Sequence, residues 1–236
     1  MRHIEKNILC KNEEWRFDEN VSLVFDFHVR RSIPCYQELQ DIIANLSLIL
    51  LKPNSTIVDL GTATGETILK IDSINKNKNF QYIGIDNSQS MLGEAKNKCQ
   101  NIANCSFMLS DIRDCDIPKS DLIMSIYTIQ FIEPKYRYEI FSKIKNSLNN
   151  NGYFILCEKI RLENNFNDLL YINMHEKWKE QYFERSEIVS KRQSLINVMF
   201  PINLETTIKD LHSLGFKTET FFQWFNFIGI LGKWDD

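Results

Sequence analysis

Three aspartates close three short apolar runs, and their order along the chain is the first feature that could do chemistry. Asp59 ends the run "TIVD" and precedes the small-residue loop Gly61-Thr62-Ala63-Thr64-Gly65, Asp86 ends "FQYIGID", and Asp111 ends "CSFMLSD". Acids at the carboxyl ends of successive parallel strands face the crevice in which such sheets bind ligands. Each one alone is equally readable as a turn former. Three in order favour a ligand site. The glycine loop departs from two common phosphate-binding patterns. It lacks GxxxxGK[ST], having no Lys to meet a phosphate, and it lacks the dinucleotide pattern GxGxxG.

The spacing Asp59-x-Gly61-x-x-x-Gly65 resembles instead the loop that binds S-adenosylmethionine (SAM), which carries no phosphate. On that likeness the backbone of Gly61, Thr62, Ala63 and Gly65 approaches the amino-acid part of the ligand. Asp59 receives a positive group directly or through water. Asp86 accepts both ribose hydroxyls with Asn87 beside the adenine, Asp111 takes the adenine amino proton, and Ile112 covers the ring.

The elements that must hold these residues alternate in type. Residues 56–60, 80–86, 105–111, 121–127 and 153–159 read as strands, and residues 66–74, 88–100 and 137–148 as the helices between them, with Ser88 a suitable N-cap. Such alternation predicts a parallel sheet with helical crossovers. Upstream, Tyr36, Leu39, Ile43, Leu46 and Leu50 fall at helical spacing, with Pro34 admissible in a first turn. Downstream, residues 162–213 read as helical throughout, and two short strands separated near Trp224–Asn226 close the chain. The expected fold is α/β: a Rossmann-like class I methyltransferase-type fold, with a mostly parallel seven-stranded sheet, a C-terminal antiparallel hairpin and an added helical cap. The expected organisation is one SAM-binding domain over residues 1–236. It comprises an N-terminal cap (15–52), a nucleoside-binding core (53–160), a helical insertion (161–213) and closing strands (214–232).

Composition narrows the classes. With 43% hydrophobic and 12% aromatic residues, the 236-residue chain can bury a sizeable core, against a disordered reading. A formal net charge of −3 with interspersed signs gives no general reason to bind nucleic acid or an anionic membrane. The six Cys show neither CxxC nor Cys/His pair spacing, which suggests no zinc site and no disulfide framework. Cys157, inside an apolar run, reads as a small core residue. No apolar run approaches membrane-spanning length. The expected setting is a reducing, cytoplasmic one.

Longer stretches carry a more specific likeness. "FDENVSLVFDFHVRRSIPCY" (17–36), "VDLGTATGET" (58–67), "IGIDNSQSML" (83–92), "SDIRD" (110–114), "YTIQFIEP" (127–134), "LCEKI" (156–160), "INMHEKWK" (172–179), "EIVSKRQSLINVM" (187–199) and "FQWFNF" (222–227) together resemble the carboxy-S-adenosyl-L-methionine (carboxy-SAM) synthase family. The likeness spans roughly residues 15 to 231. It implies an enzyme that converts SAM and prephenate to carboxy-SAM and phenylpyruvate. Prephenate would lose carbon dioxide and hydroxide, the SAM methyl a proton, and the resulting ylide would capture the carbon dioxide. It further implies a homodimer, and a partner carboxymethyltransferase that uses the product on wobble uridine in tRNA or in a specialised pathway. Direct nucleic-acid contact is not expected, since no basic stripe interleaved with aromatics is present.

The family's carboxylate-binding Arg falls on Arg192, and the residues also speak for themselves there. If residues 187–199 are one helix, Ile188, Leu195 and Met199 form a stripe and Arg192 lies along it, where a guanidinium needs an anionic partner. A snorkelling side chain or a structural ion pair satisfies the same geometry. Tyr36 matches a family Tyr that contacts the cofactor and is also placed to pack in the core. Arg30 and Arg31 could meet the carboxylates of prephenate or lie in solvent. His175 is read as structural. Two departures stand out: Ile126 where the family has a ligand-contacting Asn, and Thr62-Ala63 where Cys-Ser is common. Ser125 or a water could supply the polar group that Ile126 lacks. The alternatives are a SAM-dependent methyltransferase acting on a small acidic molecule, and a non-catalytic SAM-binding protein.

Overall fold

The structure, a computed structural model, describes residues 19–75 and 77–235. Residues 15–18 of the expected cap, and Cys10, lie outside the described residues.

Five strands, β1 (Thr56–Leu60), β2 (Gln81–Asp86), β3 (Cys105–Leu109), β4 (Ser120–Ile126) and β5 (Leu148–Arg161), pair in parallel. With β7 (Phe216–Trp224) and β8 (Phe227–Trp234) the order is β3-β2-β1-β4-β5-β8-β7, and β8 runs antiparallel to both its neighbours. The chain leaves β1 towards β3 and returns on the other side to β4. The direction of winding therefore reverses between β1 and β4, which opens a crevice at their carboxyl ends.

The central strands are apolar on both faces, so neighbouring residues enter different cores. Val58, Ile123 and Phe154 pack with Ile140, Phe141 and Ile144 of α6 (Pro134–Ser147). Ile57, Leu122 and Ile155 pack with Leu39 and Ile43 of α3 (Tyr36–Leu50) and Ile68 and Ile71 of α4 (Glu66–Ile74). Cys157 lies in the second core with no exposed surface. Between β2 and β3 runs α5 (Gln89–Lys98), capped by Ser88, whose hydroxyl accepts from the Met91 N–H at 3.3 Å.

Several boundaries differ from the sequence reading. α3 begins after Cys35, whose φ is +53°, so Pro34 precedes the helix instead of entering its first turn. Ahead of it, within the expected helical cap, lie a short α1 (Glu19–Ser22) and α2 (Phe25–Ser32). Of the five residues in the apolar stripe, Tyr36, Leu39 and Ile43 are buried, whereas Leu46 and Leu50 are half-buried. The asparagine run after α6 begins β5 instead of forming a separate loop.

The largest correction concerns residues 162–213. They form α7 (Asn165–Lys179), α8 (Arg185–Ser194), a two-residue β6 (Ile202–Asn203) alongside β5, and α9 (Leu204–Ser213). The helix does not resume beyond α8, where Asn197 takes a left-handed φ of +63° and Pro201 has no N–H to donate. Phe200 instead donates to the Gln130 carbonyl at 2.6 Å, and its own carbonyl accepts from Arg137. That segment is tied to the sheet, not to a helix.

Candidate functional site

A cavity of about 1020 Å³ opens over the carboxyl ends of β1, β2 and β4. Tyr36, Asp59, Gly61, Thr62, Ala63, Asp86, Asn87, Asp111, Ile112, Ile126 and Arg192 all line it. Gly65 does not. Its φ of +74° makes it the left-handed N-cap of α4, and its N–H donates to the Thr62 carbonyl at 2.9 Å, so it shapes the loop from behind.

The loop is pinned to the sheet. Gly61 and Thr62 both donate to the Ile85 carbonyl, at 2.7 and 3.0 Å. At Gly61 φ is +72° and a Cβ would stand 2.3 Å from the Thr128 side chain, so glycine is required twice over. Thr62 Oγ1 donates to Asp59 at 2.9 Å. Asp59 is otherwise buried, and the loss of water, with nearby Asp86 adding to it, pushes its carboxyl up to about 7 despite that bond. Such a group favours a cation beside it. Asp86 accepts from the Ala63 N–H at 2.9 Å and the Ser88 N–H at 2.8 Å, joining the two loops. Burial raises its carboxyl as well.

Asp111 is held differently. Arg113 grips it through Nε at 3.0 Å and Nη2 at 2.7 Å, which keeps the carboxyl below its ordinary range and ready to accept. This clamp was absent from the sequence reading, although the Asp-x-Arg spacing was visible. Tyr36 is buried, and burial raises its phenol. Ile126 faces the cavity, whereas Ser125 is fully buried and does not line it, so Ser125 supplies no polar replacement there. The next residue, Tyr127, lines the cavity in a left-handed conformation with φ +58°. A bulky residue in that state is strained, and strain of this kind gathers at ligand sites. Buried Glu158 supports the turn that follows by accepting the N–H groups of Ile129 and Gln130 at 2.8 and 2.9 Å.

The roof is clasped on electrostatically. Lys98 of α5 reaches Asp26 of α2 and Glu66 of α4, the latter at 2.9 Å, while Thr64 donates to Asp26 at 2.6 Å. Arg30 pairs with Glu66 at 2.7 Å and Arg31 stands 3.5 Å over the Phe27 ring. Neither arginine lines the cavity.

The cavity also carries basic groups that the sequence reading missed except for Arg192, with the carboxylates of Asp168, Glu176 and Glu187 among them. Lys159, Lys179 and Lys191 all line the cavity. Burial pushes the ammonium groups of Lys159 and Lys179 down to about 8, and that of Lys191 well below its ordinary range. A signal existed for Lys159, since Glu158-Lys159 interrupts the apolar run of a buried strand and such charges need a reason. His175 also faces the cavity, with its Nε2 2.9 Å from the Ser32 carbonyl and its ring packed on Phe227.

Arg192 reaches the cavity by a route other than the expected one. α8 ends at Ser194, so no helical stripe runs through Leu195 to Met199, and the Arg192 side chain is 58% exposed. The buried charge is its partner: Glu176 on α7, side chain 4% exposed, accepts from Arg192 Nη1 at 2.8 Å and pairs with Arg185 at 2.9 Å.

A family profile described as a methyltransferase domain matches residues 51–218. The carboxy-S-adenosyl-L-methionine synthase of Nautilia profundicola is 35% identical over 218 residues, 91% of this chain and 92% of that protein. The enzyme of the same name from Campylobacter hominis is 35% identical over 234 residues, 97% of this chain and 99% of that protein. The chain belongs to the carboxy-S-adenosyl-L-methionine synthase family. Membership makes it a SAM-dependent transferase by class, and the fold agrees with that class. An O-methyltransferase family protein from Burkholderia thailandensis superposes with a TM-score of 0.72 at 11% identity, over 98% of this chain and 67% of that one. Against the family pattern, Ile126 is an apolar surface where a polar contact is expected; Glu176 lines the same cavity as Arg192. No described helix is long and apolar enough to cross a membrane.

Proposed function

We propose that the protein is a carboxy-SAM synthase that takes SAM and prephenate to carboxy-SAM and phenylpyruvate. One observation carries the reading: a single cavity joins a half lined by three strand-end acids to a half lined by three lysines and Arg192. The acidic half fits SAM. A buried carboxyl pushed up to about 7 seeks a cation, and a glycine loop lets a ligand approach the backbone. When bound, SAM supplies the carbon that receives carbon dioxide from the acid. Asp59 would hold its ammonium, Asp86 its ribose and Asp111 its adenine, with Tyr36, Asn87 and Ile112 around them. The basic half suits a small acid carrying more than one carboxylate. Desolvated ammonium groups recover the cost of their burial when an anion arrives.

The reading extends to a homodimer, for which α7 offers an exposed apolar stripe of Phe166, Leu169, Leu170 and Met174. It extends also to a cytoplasmic location, and to a partner carboxymethyltransferase that spends the product on wobble uridine in tRNA or in a specialised pathway. The chain is taken as one SAM-binding domain. Ile126 favours a second reading, a methyltransferase whose acidic acceptor is held by Arg192.

Mass spectrometry separates the two. Incubation with SAM and prephenate is expected to give a nucleoside heavier than SAM by one carbon dioxide, formed only when prephenate is present. SAM or S-adenosylhomocysteine alone would support the second reading.

The Asp59 carboxyl makes a further prediction. In the free protein it keeps its proton up to about 7, whereas a neighbouring ammonium holds it ionised, so binding expels a proton below that pH. Affinity for SAM is therefore expected to fall as the pH drops from about 8 to about 6, by up to roughly tenfold per unit once below 7. Asp59→Asn should flatten this slope in calorimetric titrations. An equally steep slope in the variant would place the titrating group elsewhere.

A further inference from the structure

We propose that Glu176 is an internal carboxylate that competes with the ligand's carboxylate for Arg192, limiting the site's preference for a carboxylated donor and easing release of that product. The inference rests on the reading of Arg192 as the residue that meets this carboxylate.

The geometry is that of a partner that can be exchanged. Glu176 and Arg192 line the same cavity, and Arg192 Nη1 donates to Glu176 Oε1 at 2.8 Å. No other bond to that guanidinium is seen among the described residues, so its remaining N–H groups are open to a second carboxylate. The two partners differ in exposure. Glu176 sits in the body of α7 with its side chain 4% exposed, whereas Arg192 is 58% exposed and lies two residues before the end of α8.

Stripping a buried carboxylate of its partner is ordinarily very costly. Glu176 escapes that cost because Arg185 stays with its other oxygen at 2.9 Å, and because Lys159 and Lys179 stand close enough for its charge to act on both. Arg192 can therefore turn to a ligand without stranding Glu176. While both carboxylates share the guanidinium, they repel each other at close range. Relieving one like charge there is worth on the order of tenfold in affinity once solvent screening is allowed for. SAM has no carboxylate on its methyl group, so of the two nucleosides the repulsion falls on carboxy-SAM and not on SAM.

The test is calorimetric titration of SAM and of carboxy-SAM, at one ionic strength, into the wild type, Glu176→Gln, Glu176→Asp, Arg192→Ala and the Arg192→Ala/Glu176→Gln double variant. Glu176→Gln keeps the shape and an acceptor oxygen while removing the charge. It is expected to tighten carboxy-SAM about tenfold and leave SAM within about twofold, the latter also showing that fold and nucleoside half are intact. Glu176→Asp, which keeps the charge, should stay near wild type. In the Arg192→Ala background the gain should shrink to under about threefold, since the coupling runs through Arg192. Unchanged or weaker carboxy-SAM binding in Glu176→Gln would overturn the proposal and make Glu176 a support for Arg192. If Arg192→Ala itself shifts both ligands equally, the reading of Arg192 falls and this inference with it. If Arg192→Ala discriminates and Glu176→Gln does not, only this inference falls.

Discussion

Arg192→Ala is expected to weaken carboxy-SAM binding by roughly 10- to 100-fold while SAM stays within about threefold of wild type. A hydrogen bond to a charged group contributes about 1.5–3 kcal/mol, and a guanidinium offers two parallel bonds to a carboxylate. Exposure of more than half the Arg192 side chain, and its existing bond to Glu176, place the loss towards the lower end of that range. Arg192→Lys should recover only part of the affinity, because an ammonium is a point charge without the planar fork. Calorimetry with the two ligands in parallel gives the ratio directly. Equal losses would show that Arg192 only braces α8 against α7.

Asp86→Ala is expected to weaken both ligands together, by about 100-fold or more. Two contributions add. Removing the carboxylate loses the bonds proposed to the ligand hydroxyls, and it strands the Ala63 and Ser88 N–H groups that now donate to it at 2.9 and 2.8 Å. Each stranded donor in a half-buried site costs about 1–3 kcal/mol unless water reaches it. The glycine loop and the start of α5 would then lose their common anchor. Asp86→Asn keeps an oxygen acceptor and should fall between the wild type and Ala. Full-strength binding by either variant would remove Asp86 from the site.

The acidic half of the cavity was legible because it depends on local order: an apolar run, an acid, a small-residue loop, a helix. β1 and α4 carry the expected boundaries for that reason. The basic half was not legible, because Lys159, Lys179 and Lys191 come from a strand and two helices and meet only after folding. Helical periodicity also overreached. A stripe through Ile188, Leu195 and Met199 looked continuous, yet Asn197 and Pro201 end it, and the segment is held by Gln130 and Arg137 far away in sequence. Tyr127 shows another limit. Nothing in "SIYTIQ" announces a left-handed tyrosine, which arises where β4 must turn sharply while its N–H donates to the Cys157 carbonyl at 2.6 Å.

The place of β8 between β5 and β7 has a consequence for how the chain is made. Along residues 153–159, β5 receives its second neighbour only from residues 227–233, more than sixty positions later. A ribosome-bound chain therefore completes the glycine loop and the loops at Asp86 and Asp111 first and the lysine-bearing segments next, and from β5 onwards carries a long apolar strand with an unpaired side. Open edges of that kind recruit other chains. The late-made β8 both seals that edge and sets Phe227 into the cavity wall, so a chain released before it would be sticky before it could be active.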